Sequence, residues 1–245
     1  MSSNKIEKLN SVETDNLNNQ NSHLIASQLI DSGNDYLNKE DYNKALECYE
    51  KSYEIYKIIF SNNLNNLAIA ILFYNIGHVN DKKTNYEKAL EYYEKAFEVY
   101  KIVYAENPNH PDISDCLNNI GSVYDNKGDS NKALEYYLKS YEIRKKAYVD
   151  DPNHADIAVS LINIGSVYDD KGEYDKALEC FVKSYEIRRK VYADNPNHPD
   201  IADSLNNIGL INNRIGNYDK AIECFEKSYE IRKLVYIDNP NHPYI

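Results

Sequence analysis

Apolar residues recur along this chain with a helical period and restart after every polar break. From Ile157, the residues Leu161, Ile164, Gly165 and Tyr168 follow at steps of four, three, one and three, a single stripe of a 3.6-residue helix. The polar string DDKGEYD, with Gly172 inside it, interrupts that stripe. A second stripe runs from Ala177 through Leu178, Phe181, Tyr185 and Arg188 to Val191 and Tyr192. ADNPNHPD stops this helix, and the residues around Pro199 begin the next. Proline suits a first helical turn, where its missing N–H has no partner to lose, and Asp200 suits the positive helix end. No stretch alternates as a half-buried strand does. The spacing predicts an all-α chain built of helical hairpins.

The hairpins repeat. Glycines fall at 33, 77, 121, 165 and 209, a spacing of 44, and alanines at 45, 89, 133, 177 and 221. Residues 110–153 and 154–197 are identical at 28 of 44 positions, which fixes the period. Such self-similarity marks a stacked repeat array. The divisions expected are a polar leader over 1–22, an array over 23–241, and the first residues of a further, truncated repeat at 242–245. The array's repeats run over about 22–65, 66–109, 110–153, 154–197 and 198–241.

The pattern L-x-x-I-G-x-x-Y…G-x-Y-x-K-A-L-x-x-F/Y-x-x-S resembles the tetratricopeptide repeat, and its 44-residue length with HPD-I-A at the start of each unit is similar to the kinesin-light-chain type. Gly165 and Ala177 match the family's two small positions, where paired helices cross closely, and Tyr168 and Phe181 its large aromatic ones. The resemblance covers about residues 23–241 and implies a right-handed superhelical solenoid of five 44-residue helix-turn-helix units. Departures are Asn80 and Asn212 at the Tyr168 position and Glu40 where later copies have Gly. Looser packing is expected in those copies.

Turning about 100° per residue from Leu161, the residues Ile157, Ala158, Ile164, Gly165 and Tyr168 fall within about 60° of it and face the second helix. Val159, Asn163, Ser166 and Asp170 lie on the opposite side, which in stacked hairpins lines the concave surface. The same positions read Ser27, Asp31, Asn34 and Asn38 in the first repeat, and Ile71, Asn75, His78 and Lys82 in the second. They read Asp115, Asn119, Ser122 and Asn126 in the third, and Asp203, Asn207, Leu210 and Arg214 in the fifth. The second position is thus Asp once and Asn four times. A carboxamide both donates and accepts, and so can bond both groups of a peptide backbone. The resemblance implies that Asn75, Asn119, Asn163 and Asn207 hold an extended peptide. The competing explanation is shared descent of the copies, because a surface Asn costs only a few tenths of a kcal/mol in a helix.

Charge narrows the partner. The formal net charge of −11 over 245 residues opposes unassisted binding to nucleic acid or anionic lipid. No apolar run reaches the roughly 20 residues of a membrane span. The N-terminal MSSNKIEKLNSVETDNLNNQNS lacks the apolar core of a secretion signal, and reads as a disordered leader. A clamp for a chain-terminal carboxylate needs Lys or Arg converging with Asn. Here Lys82 and Arg214 stand three repeats apart with Asp115, Asp170 and Asp203 around them, a lining suited to neutral or basic segments. The 22 leading polar residues cannot supply the heptad coiled coil that precedes the repeats of kinesin light chain itself.

Other residues carry no chemistry. Cys48, Cys180 and Cys224 occupy equivalent sites in different repeats and do not meet, so they read as small buried hydrophobes in a reducing, cytoplasmic compartment. His110, His154, His198 and His242 sit in equivalent loops, and packed helices about 8–10 Å apart cannot bring them to one ion. No nucleophile–base pair, phosphate loop or paired-Cys spacing is present, so no enzyme, cofactor or metal is expected. EIRKK, EIRRK and EIRKL, starting at Glu142, Glu186 and Glu230, form a basic stripe. It reads either as a cation bias at helix C-termini or as a second contact surface. Two functions stand: a scaffold or adaptor gripping an extended peptide, and a structural or self-associating module, a fragment of a longer array, that contacts partners through its uncapped C-terminal end or convex side.

Overall fold

The computed structural model describes residues 3–61, 63 and 65–237, with side chains from residue 19 onward. Among the described residues there are ten α-helices and no strand. They form two compact units, Met1–Pro108 and Asn109–Ile245. The first holds α1 (Ser3–Asn38), α2 (Tyr42–Ile59), α3 (Leu67–Lys82) and α4 (Tyr86–Val103). The second holds α5 (Pro111–Asn126), α6 (Ser130–Ala147), α7 (Ala155–Asp170), α8 (Tyr174–Val191), α9 (Pro199–Arg214) and α10 (Tyr218–Val235). Odd-numbered helices are the first and even-numbered the second helices of five hairpins.

One boundary differs from expectation. α1 begins at Ser3, so residues 3–22, read from sequence as a disordered leader, belong to a helix. No Gly or Pro occurs before Gly33 to interrupt it. The truncated repeat at 242–245 lies outside the described residues.

Each hairpin closes on its glycine. A Cβ at Gly165 would lie 2.8 Å from the Phe181 ring, and one at Gly121 would lie 2.8 Å from Tyr137, so only Gly lets the two helices cross there. Ala45, Ala89, Ala133 and Ala177 are fully buried beside these crossings. The Ser of the repeat is also structural: Ser52, Ser140, Ser184 and Ser228 are buried, and each donates to a first-helix carbonyl 26 residues earlier at 2.8–3.0 Å. Asn80 and Asn212, where other copies have Tyr, do not loosen the packing. Both are 3% exposed, and each side-chain amide donates to a carbonyl one turn back, Ile76 at 2.8 Å and Ile208 at 2.9 Å.

The loop histidines start helices. Nδ1 of His110, His154 and His198 accepts the backbone N–H two residues on at 3.2 Å, the bond that caps α5, α7 and α9. His154 and His198 also stack on Tyr148 and Tyr192 with ring centres 3.6 Å apart. Tyr148 donates its O–H to Asp156 at 2.8 Å, and burial followed by that bond pushes its hydroxyl up to about 12. Among the described residues no group of three or more His, Cys, Asp or Glu could hold a metal, and all four cysteines are free thiols.

Candidate functional site

The residues expected to line a groove all lie on the first helices of the hairpins. In the first unit Asn75 is half-buried on α3, and its Nδ2 donates to Asn34 Oδ1 on α1 at 3.3 Å. The same oxygen accepts from the Tyr49 hydroxyl at 2.7 Å, so Asn34 is fixed from behind. Asp31 and Lys82 are exposed at either end of this face. His78 lies between Asn75 and Lys82, half-buried, and burial and then the Lys82 charge pull its imidazole below the usual histidine range.

In the second unit Asn119, Asn163 and Asn207 occupy one position on α5, α7 and α9, and all three are half-buried. Asn163 Nδ2 donates to Asn118 Oδ1 on the neighbouring first helix at 2.9 Å. One of its donors is thereby fixed, which orients the amide. Ser122 and Ser166 sit half-buried one turn further on, with Asn126 and Asp170 exposed beyond them. Arg214 reaches back from α9 to Asp169 on α7 at 3.1 Å and lies 6.0 Å from the Tyr174 ring. Burial, and then the nearby Asp170, raises the Asp125 carboxyl above its usual range. Burial also raises Asp169, against the lowering effect of Arg214. This end of the face therefore holds three closely set carboxyls and one arginine.

Two expected lining residues are engaged elsewhere. Asp115 pairs with Arg144 Nη2 at 2.7 Å, and Asp203 with Arg232 Nη2 at 2.9 Å, both arginines coming from second helices. The basic stripe is accordingly divided. Arg144 is 5% exposed and bridges repeats: Nε donates to Ser114 Oγ at 3.3 Å, and Nη1 to the Asp156 carbonyl at 3.0 Å and Ser160 Oγ at 2.8 Å. Arg188 does the same to the Asp200 carbonyl at 2.8 Å and Ser204 Oγ at 3.1 Å. Neither a helix-end charge bias nor a contact surface describes these arginines; they tie successive hairpins. The lysines and Arg189 that follow them in the stripe are exposed.

Sequence reasoning missed Asp125 and Asp169, and set Asn118 below Asn119 because its counterpart in the fourth repeat is Ile162. Their signal is a spacing of 45: Asn118 and Asn163 touch, and so do Asp169 and Arg214, because adjacent first helices meet one residue out of the repeat register. It also missed clefts on the second-helix side. One of about 380 Å³ lies among Tyr141, Pro152, Leu161, Lys183 and Ile187. Another of about 790 Å³ lies among the residues 44 further on, Tyr185, Pro196, Leu205, Lys227 and Ile231.

Comparison with known proteins places this architecture. The crystal structure of BtubC (BKLC) from P. vanneervenii superposes with a TM-score of 0.73 at 20% identity, over 91% of this chain and 84% of that one. A putative kinesin light chain of Podosopora anserina, with nearly identical TPR-like repeats, gives 0.71 at 16% identity over 88% and 98%. The Rap conjugation gene regulator of plasmid pLS20, solved in complex with the Phr* peptide, gives 0.62 at 20% identity, over 88% of this chain and 54% of that one. No curated protein matches the sequence. Among the described residues no helix is long and apolar enough to cross a membrane. The tetratricopeptide repeat family model matches residues 24–102, 68–146 and 156–233, and the chain belongs to that family.

Proposed function

We propose that this protein is a non-catalytic adaptor that holds an extended, neutral or basic segment of a partner protein along the outward face of its first helices. The observation that carries this reading is the half-buried Asn at one position of α3, α5, α7 and α9, with Asn163 and Asn75 oriented by neighbouring carboxamides. A fixed carboxamide offers a peptide backbone an acceptor and a donor without losing side-chain entropy on binding. The fold supports the reading, since a Rap regulator of the same architecture was solved with a peptide bound. The carboxyls of Asp125, Asp169 and Asp170 favour a cationic side chain in the ligand. We assign it no cofactor, nucleic acid or membrane partner, and a cytoplasmic location.

The test is a peptide-library selection on the purified chain beside a variant with Asn75, Asn119, Asn163 and Asn207 all changed to Ala, after circular dichroism has shown equal helicity. A common motif enriched by the wild type and lost in the variant supports the proposal. Equal enrichment by both proteins, or none by either, overturns it and leaves the ladder as inherited surface.

A further inference from the structure

We infer that the cleft between α6 and α8 is a second docking site, which takes an acidic segment of a partner protein by one bulky apolar side chain. The cleft, of about 380 Å³, has an apolar floor: Ile157 and Leu161 of α7, both 4% exposed, and Ile187 of α8. Its walls include Tyr141 of α6 and, after that helix, Tyr148, Val149 and Pro152. Tyr148 is held by its stack on His154 and its bond to Asp156, so that wall stands before a ligand arrives. Val149 lines the cleft and is nonetheless 71% exposed. A small apolar cleft of this kind fits a single anchor residue of a peptide.

Stacking of repeats does not close this cleft. α6 packs on α7 and α8 packs on α9, so both helices already have their neighbours in the array. The cleft recurs 44 residues on, between α8 and α10, and what changes from copy to copy is charge. Around the α6–α8 cleft Lys145, Lys183 and Lys190 face a single carboxylate, Glu186. At the α8–α10 cleft Arg189 and Lys227 are matched by Glu226 and Glu230. In the first unit the cleft among Tyr53, Phe73 and Val99 has Glu91, Glu94 and Glu98 against Lys95. Of these three the α6–α8 cleft alone is cationic, on a chain whose net charge is −11.

Its lysines are available to a ligand. Lys190 donates to the Asn153 side-chain oxygen at 3.3 Å, a neutral partner. Lys145 and Lys183 pair along their own helices with Glu142 at 3.2 Å and Glu179 at 2.6 Å, exposed pairs that hold little energy and exchange readily. Asp150 and Asp151 of the same loop are exposed and do not line the cleft. The overall charge repels an acidic ligand at a distance, so the lysines act at contact range and the buried anchor supplies most of the affinity. The basic or neutral segment proposed for the first helices gains nothing here, and the two sites select opposite charge.

Two peptide libraries, each selected on the full chain, test this. One places a single Phe, Leu or Trp among Asp, Glu, Ser and Gly, and the other has Lys and Arg in place of the acids. The acidic library should yield binders. In fluorescence anisotropy the best of them should weaken at least about tenfold with Lys190→Glu, with Val149→Glu, and when its own apolar residue becomes Ser. Circular dichroism should show both chain variants as helical as the wild type. The chain with Asn75, Asn119, Asn163 and Asn207 all changed to Ala should bind that peptide unchanged, which separates this cleft from the groove. The proposal is overturned if the acidic library yields no binder, if the binder is indifferent to either cleft substitution, or if the four-Ala chain loses it. It is overturned as well if light scattering finds a dimer that Val149→Glu dissociates, since the occupant would then be a second copy.

Discussion

Thr84 closes the turn after α3 with φ at +57°, a conformation that crowds any side chain and a β-branched one most. The equivalent residues of later copies are Gly128, Gly172 and Gly216, with φ from +73° to +82° and open space where a Cβ would stand. Removing the strain is worth about 1–2 kcal/mol, and the extra freedom of Gly in the unfolded chain takes back about 0.5–1. The hydroxyl's bond to the Lys83 carbonyl is exposed and adds little. Thr84→Gly should therefore raise the urea midpoint of unfolding, and a midpoint that falls would show that Thr84 is relaxed where it sits. Single positions like this were partly legible. The same turn in the first repeat, where Glu40 adopts φ +58°, showed in the sequence as a departure from Gly, but the expected loosening around Asn80 and Asn212 did not follow. An Asn that can reach the carbonyl four residues back satisfies itself inside its own helix, and no spacing pattern displays that bond.

Helices pair through two kinds of contact, and only one leaves a periodic trace. The apolar stripe and the Gly–aromatic crossing recur every 44 residues, so hairpins and repeat boundaries could be read directly. The arginine junction could not, because its partners come from two separate segments: Ser114 and Asp115 of one repeat, and Asp156 and Ser160 of the next. From sequence alone Arg144 looked like a helix-end cation and Asp115 like a groove residue. Losing Arg144 removes a donor from two buried serine oxygens, while the Asp156 carbonyl keeps its bond from Ser160 Oγ at 3.1 Å and Asp115, 42% exposed, can hydrate. Arg144→Tyr should cost about 2–3 kcal/mol in urea denaturation. Adding Ser160→Leu recreates the combination found at Tyr56 and Leu72, and should return more than half of that loss. If the two changes instead add as independent penalties, the arginine and serine are not coupled and the junction is held by its apolar part.

At the scale of the whole molecule the chain is an anion, and its candidate binding face repeats that sign locally. On the proposed function the net charge of −11 would draw cationic partners from within a screening length, and Asp125, Asp169 and Asp170 would meet them at close range. The Asn positions were legible because one residue type recurred on one helical face. Of the carboxyls beside them Asp170 was legible in the same way, whereas Asp125 and Asp169 were not, since they meet their partners on adjacent helices 45 residues away rather than 44. On the proposed function these two kinds of group would divide the work: carboxamides would bond any backbone, whereas the carboxyls would select the ligand's charge. A selected basic peptide should lose affinity by about threefold or more between 50 and 500 mM salt, mostly through its association rate. Its sequence with each Lys and Arg replaced by Gln should bind more weakly at low salt and show almost no salt dependence. Stopped-flow fluorescence of the two peptides measures both. Equal affinities, or a basic peptide indifferent to salt, would mean that the carboxyls around Arg214 are neutralised within the fold and that backbone recognition by the asparagines acts alone.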